Sequence, residues 1–187
     1  AKNCLILGGS GQIGKYLIRK LTKNNYKVTV VTRNIHQKSF VIKTQANAGY
    51  IDIVESTIFD EQKIRKLIKN TDICINLIRI LFEKKRGNTF KNIHTVFPSL
   101  IAKLCKEYGI KQFIHLSALG INEAKDSNYA ISKLNGELEI IKNFPLATIL
   151  RPSVVYSVDD NFTTNLMSLL NKIPIFPLYY SGKTIFT

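Results

Sequence analysis

Gly8-Gly9-Ser10-Gly11-Gln12-Ile13-Gly14 follows the apolar run Cys4-Leu5-Ile6-Leu7 and opens the amphipathic stretch 15–24. That order reads as strand, glycine turn and helix. A helix N-terminus presents unpaired backbone N–H groups and the positive end of its dipole, and glycines remove the Cβ atoms that would keep a phosphate away. The turn therefore predicts a dinucleotide cradle, with Gly8, Ser10, Gly11, Gln12, Ile13 and Gly14 as the candidate contacts. Its glycines satisfy G-x-G-x-x-G at Gly9, Gly11 and Gly14, and also G-x-x-G-x-x-G at Gly8, Gly11 and Gly14.

Moving outward, β-rich apolar runs recur at 3–7, 27–32, 50–54, 72–78, 112–117 and 147–150. Helical periodicity falls between them: Ile13, Leu17, Ile18 and Leu21 in 12–24, Ile64, Leu67 and Ile68 in 61–70, and Phe90, Ile93, Phe97, Ile101 and Leu104 in 88–108. Alternating β and α units predict an α/β fold of Rossmann type, a doubly wound parallel sheet with helices on both faces. Asn24-Asn25 and Tyr108-Gly109 read as helix ends, and Asp60 as an N-cap. Residues 1–157 are expected to form the dinucleotide-binding domain. Residues 158–187, less regular apart from a helical pattern at 162–170, are expected to begin a substrate-side region.

With 187 residues and 45% hydrophobic content, the chain is long enough for a substantial core. No apolar run approaches the ~20 residues that span a bilayer. Because the first strand starts almost at once, no signal or transit peptide is expected in these residues. Cys4, Cys74 and Cys105 lie far apart in apolar segments, and with His36, His94 and His115 they lack the paired spacing of a zinc site. They read as buried thiols in a reducing setting. The net charge of +14 is spread over many helices without a nucleic-acid motif or an aromatic stripe. Nucleic acid therefore ranks last among partners, and peripheral contact with an anionic membrane stays open.

Two further positions carry chemistry. An NAD site places a carboxylate at the end of the second strand, about 20 residues beyond the glycine turn. No Asp or Glu lies between Gly14 and Ile51, and Arg33 stands there instead. A guanidinium pairs with a 2′-phosphate, so NADP(H) is expected to be preferred over NAD(H). Tyr129 and Lys133 are four apart on an expected helix, where both side chains share a face. An ammonium stabilises a phenolate, which makes Tyr129 the candidate acid and base and Lys133 its tuner.

With the glycine turn, Tyr129-Ala130-Ile131-Ser132-Lys133 makes the chain resemble the short-chain dehydrogenase/reductase superfamily, in its extended and atypical branches. Further segments resemble one atypical subgroup, the NAD(P)-binding accessory subunit of respiratory complex I and its bacterial relatives. These are Ser127-Asn128 before that motif, Gly136-Glu137, Phe144-Pro145, Ala147-Thr148-Ile149-Leu150-Arg151-Pro152-Ser153-Val154-Val155-Tyr156, Gly182-Lys183-Thr184, Asn76-Leu77-Ile78 with Leu81-Phe82-Glu83, and Phe113-Ile114-His115-Leu116-Ser117-Ala118-Leu119-Gly120.

The resemblance implies that Asn76, Leu77 and Ile78 pass beside ribose and pyrophosphate, that Pro152 and Ser153 lie near the nicotinamide, and that Thr57 and Ile58 flank the adenine. It implies that Lys133 also holds the nicotinamide ribose. Ser117 is the candidate hydroxyl, although the superfamily's usual hydroxyl aligns with Ala118. Arg79 and Ser157 stand where relatives often carry glycine, and His94 where many carry Asn. Relatives continue beyond Thr187, so the substrate region is expected to be truncated.

The expected function is a cofactor-holding accessory or assembly module that docks on a respiratory-chain complex. The alternative is an NADPH-dependent reductase, epimerase or dehydratase acting on a carbonyl or sugar-nucleotide substrate. The expected location is the cytoplasm of a bacterium, peripheral to the inner membrane face, or the mitochondrial matrix in a eukaryote.

Overall fold

The computed structural model describes residues 1–84, 87–157 and 161–173. Two compact units are present, Ala1–Arg151 and Pro152–Thr187. The first holds six parallel strands: β1 (Asn3–Leu7), β2 (Lys27–Thr32), β3 (Ile51–Glu55), β4 (Ile73–Asn76), β5 (Gln112–Leu116) and β6 (Thr148–Leu150). Their order is β3-β2-β1-β4-β5-β6, the doubly wound arrangement expected from the alternating pattern.

Because β1 is central, its side chains alternate into two separate cores. Cys4 and Ile6 join Ile18, Val28, Val30, Ile42 and Ile75 on one face. Leu5 and Leu7 join Ile64, Ile68, Cys74, Ile101 and Phe113 on the other. A strand covered on both faces must be apolar without interruption, which is why Cys4-Leu5-Ile6-Leu7 shows no alternation. The first core is sealed by α1 (Gln12–Lys23) and α2 (Ile35–Lys43). The second is sealed by α3 (Glu61–Lys69), α4 (Phe97–Glu107) and α5 (Asn128–Asn143). All three cysteines are buried and free.

Local signals set the element ends. Asp60 accepts the Lys63 N–H at 3.1 Å and so caps α3. Asn25, at φ +60°, and Gly109, at φ +62°, take the left-handed conformation that ends α1 and α4. β4 stops at Asn76, short of the expected 72–78 run, because the Asn76 side chain accepts the Ile78 N–H at 3.1 Å and turns the chain.

Two elements differ from the periodicity. Helix α2 was not read from the sequence, since only Ile42 among its residues is buried; its first N–H, at Ile35, is held by the Glu55 carboxylate at 3.0 Å. The expected helix 88–108 is instead a π-helical turn, Lys91–Val96, followed by α4. Pro98 is the physical cause: it lacks the N–H that would pair with the His94 carbonyl, and its ring crowds that oxygen. The displaced carbonyl lies against α5 at Gly136, where a Cβ would come within 1.8 Å of it.

The second unit contains α6 (Asn161–Lys172), which matches the helical pattern at 162–170. Residues 158–160 and 174–187 of the expected substrate-side region, including Gly182-Lys183-Thr184, lie outside the described residues.

Candidate functional site

The winding reverses between β1 and β4, so the crevice beyond their carboxyl ends is where such a sheet takes ligands. The glycine turn lies there, and each glycine answers a different constraint. Gly8 has φ +83°, and a Cβ on it would meet Ile78 at 2.9 Å. Gly9 packs on Val30, and Gly14 on Gly9, where a Cβ would fall 2.2 Å from the Gly9 carbonyl oxygen. Gly11 is the exception: its nearest neighbour would be the Gly8 carbonyl at 4.0 Å.

Among the described residues, no packing requires a glycine at 11. Gly11 is also the N-cap of α1, where no side chain caps the helix and no acidic residue occupies the first turn. Among the described residues the space beside Gly11 at the start of α1 is open, which fits a diphosphate, and a Cβ would partly fill it. The turn's Ser10, Gln12 and Ile13 are half-buried around it.

Arg33 is exposed just past β2, and its guanidinium donates to Asn88 Oδ1 at 3.0 Å. The carboxylate nearest in register is Glu55, paired with Thr32 across β2 and β3 and already engaged by the Ile35 N–H. After β3, Thr57 accepts the Phe59 N–H at 3.3 Å in an exposed turn, and Ile58 packs on the core. On the other side, Leu77 donates its N–H to the Leu7 carbonyl at 2.8 Å, which places Leu77 and Ile78 against the glycine turn.

Tyr129 and Lys133 share one face of α5, with the ammonium 6.0 Å from the ring centroid. Lys133 is 2% exposed, and its amine donates to the Leu116 carbonyl at 3.0 Å. Burial, reinforced by the Arg79 charge and opposed by Glu137, lowers its pKa to about 8. The Glu137 carboxylate is held by the Arg151 guanidinium through both oxygens. Ser117 follows Leu116 directly; its hydroxyl is buried and, among the described residues, has no partner.

A histidine unused by the sequence argument braces this helix. The Ile80 N–H donates to His94 Nε2 at 3.2 Å, so the ring proton resides on Nδ1. Nδ1 meets Ser132 Oγ at 2.9 Å, and that hydroxyl donates to the Tyr129 carbonyl at 2.7 Å. The same imidazole lies edge-on to the Tyr129 ring, at 5.2 Å between centroids. Burial and the Lys133 charge lower its pKa to about 4, so His94 is a neutral brace rather than a base. Asn76 behaves alike: fully buried, it meets His115 Nδ1 at 3.2 Å through Nδ2. It shapes the Ile78 turn and spends both ends of its amide inside the protein.

The crevice thus gathers the glycine turn, Leu77, Ile78, Tyr129, Lys133 and Ser117 within the first unit. Pro152 and Ser153 belong to the second unit, as half-buried and exposed residues respectively. Sequence reasoning overlooked the buried Glu137 and Ser132 contacts. The i, i+4 spacing of Lys133 and Glu137 was the available signal for the first.

A family model described as NAD dependent epimerase/dehydratase matches residues 4–174, which covers the glycine turn, Tyr129 and Lys133. The chain belongs to the NAD dependent epimerase/dehydratase family. NADH dehydrogenase (ubiquinone) 1 alpha subcomplex subunit 9, mitochondrial, of Mus musculus is 29% identical to it over 157 residues, 84% of this chain and 41% of that protein. Such subunits match the complex I resemblance read in the sequence. The ceramide reductase of Caulobacter vibrioides is 24% identical over 173 residues, 92% of this chain and 52% of that protein. The Bordetella bronchiseptica enzyme WbmH, solved in complex with NAD+, superposes with a TM-score of 0.73 at 18% identity, over 91% of this chain and 63% of that one. This last likeness concerns the fold. The chain spans less than half the length of the mouse relative. No helix among the described residues is long and apolar enough to cross a membrane.

Proposed function

We propose that this member of the epimerase/dehydratase family holds NADP(H) and serves as an accessory or assembly module of a respiratory-chain complex. The observation that carries the cofactor half is Gly11: a glycine at the start of α1 that, among the described residues, faces open space. Arg33, without a carboxylate on its own strand end, supports the 2′-phosphate and hence NADP(H) over NAD(H). Likeness to the mouse subunit supports the accessory role. Residues 1–157 form the cofactor-binding part in this reading, and 158–187 begin the substrate side. Thr57 and Ile58 flank the adenine, and Leu77 and Ile78 border the diphosphate. The corresponding location is the bacterial cytoplasm at the inner membrane face, or the mitochondrial matrix in a eukaryote.

Titration of the protein with NADPH and NADH, followed by intrinsic or cofactor fluorescence, tests this. NADPH should bind at least tenfold more tightly, and Arg33→Ser should abolish most of the difference, since a charge-assisted bond is worth about 1.5–3 kcal/mol. Equal affinities in the wild type would end the NADP(H) assignment.

The second reading is an active reductase, epimerase or dehydratase, favoured by the Tyr129–Lys133 arrangement. Bound nicotinamide supplies or accepts hydride at C4. Tyr129 gives the proton to a carbonyl oxygen, and the Lys133 ammonium stabilises the phenolate left behind. The Ser117 hydroxyl, unpartnered in the described residues, is the available donor to that oxygen.

A further inference from the structure

We propose that Arg79 is an anion-recognition residue on the Lys133 side of the crevice, there to engage a phosphoryl group. The inference rests on the dinucleotide reading above and extends it to a residue outside the glycine turn.

The backbone on either side of Arg79 is pinned. Ile78 donates its N–H to Asn76 Oδ1 at 3.1 Å and stands against Gly8. Ile80 donates its N–H to His94 Nε2 at 3.2 Å. Arg79 therefore leaves the end of β4 from a fixed point, between the phosphate turn and the His94 brace that carries Tyr129. Its side chain is exposed, and among the described residues its guanidinium makes no hydrogen bond or ion pair.

Among the described residues the surroundings supply no unpaired counter-charge. Lys133 on α5 and His94 on the π-helical turn both feel the Arg79 charge. His94 is neutral, held so by burial and by these cations. The acid beside Lys133, Glu137, has both oxygens on the Arg151 guanidinium. Arg79 and Lys133 thus remain as two cations beside a carboxylate, Glu137, that is already paired with Arg151. Like charges held together in a crevice cost free energy unless an anion joins them. A guanidinium with all its N–H donors free matches a phosphate in fork geometry, which an ammonium does not.

The phosphoryl group has two possible sources, the diphosphate of the dinucleotide or a phosphate on a substrate. Wild type, Arg79→Gln and Arg79→Lys are compared by calorimetric titration with NADPH, and with inorganic pyrophosphate added before and after NADPH saturation. Melting without ligand should not fall in either variant, since Arg79 makes no hydrogen bond or ion pair among the described residues and Arg79→Gln relieves its repulsion of Lys133. If the dinucleotide is the source, Arg79→Gln binds NADPH about tenfold or more weakly, Arg79→Lys recovers part of the loss, and pyrophosphate competes with NADPH. If a substrate phosphate is the source, NADPH affinity is unchanged, while the NADPH-loaded wild type binds pyrophosphate and Arg79→Gln does not. Arg79→Gln that retains wild-type affinity for both ligands overturns the proposal. A wild type that binds no dinucleotide would instead overturn the cofactor reading, and its pyrophosphate affinity would still judge Arg79.

Discussion

Replacing Gly11 by alanine should remove cofactor binding and leave folding almost untouched, whereas replacing Gly14 should do the opposite. At Gly11 the backbone sits at φ −80° and ψ 177°, which alanine adopts freely. Among the described residues the new methyl would meet nothing closer than 4.0 Å. Two small effects oppose each other there: alanine restricts the unfolded chain, worth about 0.4–1 kcal/mol, and it is a poorer N-cap than glycine by a similar amount. Melting of the ligand-free variant should therefore stay within about 2 °C of wild type.

With ligand the outcomes diverge. At a hundredfold excess over Kd, NADPH stabilises the native state by about 2.7 kcal/mol, or roughly 5–10 °C for a chain of this size. Gly11→Ala should lose most of that shift, because its methyl occupies the diphosphate's approach. In Gly14→Ala the methyl would fall 2.2 Å from the Gly9 carbonyl oxygen, so α1 must move off β1. The strain should cost about 3 kcal/mol or more, lowering the ligand-free melting temperature by roughly 6–12 °C. Differential scanning fluorimetry with and without NADPH reads all four conditions. A full ligand shift in Gly11→Ala would refute the cradle; wild-type melting of Gly14→Ala would refute the close packing.

Acid should destabilise the fold through its buried histidines. His94 and His115 have their pKa values lowered to about 4 and about 3, by burial first and the Lys133 charge second. The unfolded chain therefore takes up protons that the folded chain refuses, and stability is full above about pH 6.5 and falls as pH drops towards 4, by on the order of 3 kcal/mol for each histidine. Urea unfolding between pH 7 and 4 should show this decline, with a shallower slope in His94→Gln; an unchanged slope would contradict a neutral, buried His94. If the chain turns over a carbonyl substrate, Tyr129→Phe should lower kcat by about 10²-fold or more with NADPH affinity retained. Equal turnover in the two proteins would remove Tyr129 as the acid.

The sequence by itself determined the sheet and the place of its crevice. An uninterrupted Cys4-Leu5-Ile6-Leu7 run fits a strand buried on both faces, and the glycine turn between it and a helical period selects that reading over a buried helix. Tyr129 and Lys133 were legible because four residues bring a helix back to the same face. Helix α2 was hidden because one buried residue, Ile42, leaves almost no periodic trace.

Tertiary structure alone decided what each of these residues touches. Four glycines look equivalent as letters, yet three pack against Ile78, Val30 and the Gly9 backbone, and among the described residues Gly11 alone of the four faces open space. Pro98 was visible in the sequence, but that its effect would be a π-helical turn pressing the His94 carbonyl onto Gly136 depended on α5 packing beside it. Likewise, the charge on Lys133 and the neutrality of His94 follow from burial and from partners far away in the chain. Local sequence sets backbone periodicity, which is a short-range property; electrostatic state and empty space depend on every neighbour and exist only once the chain is folded.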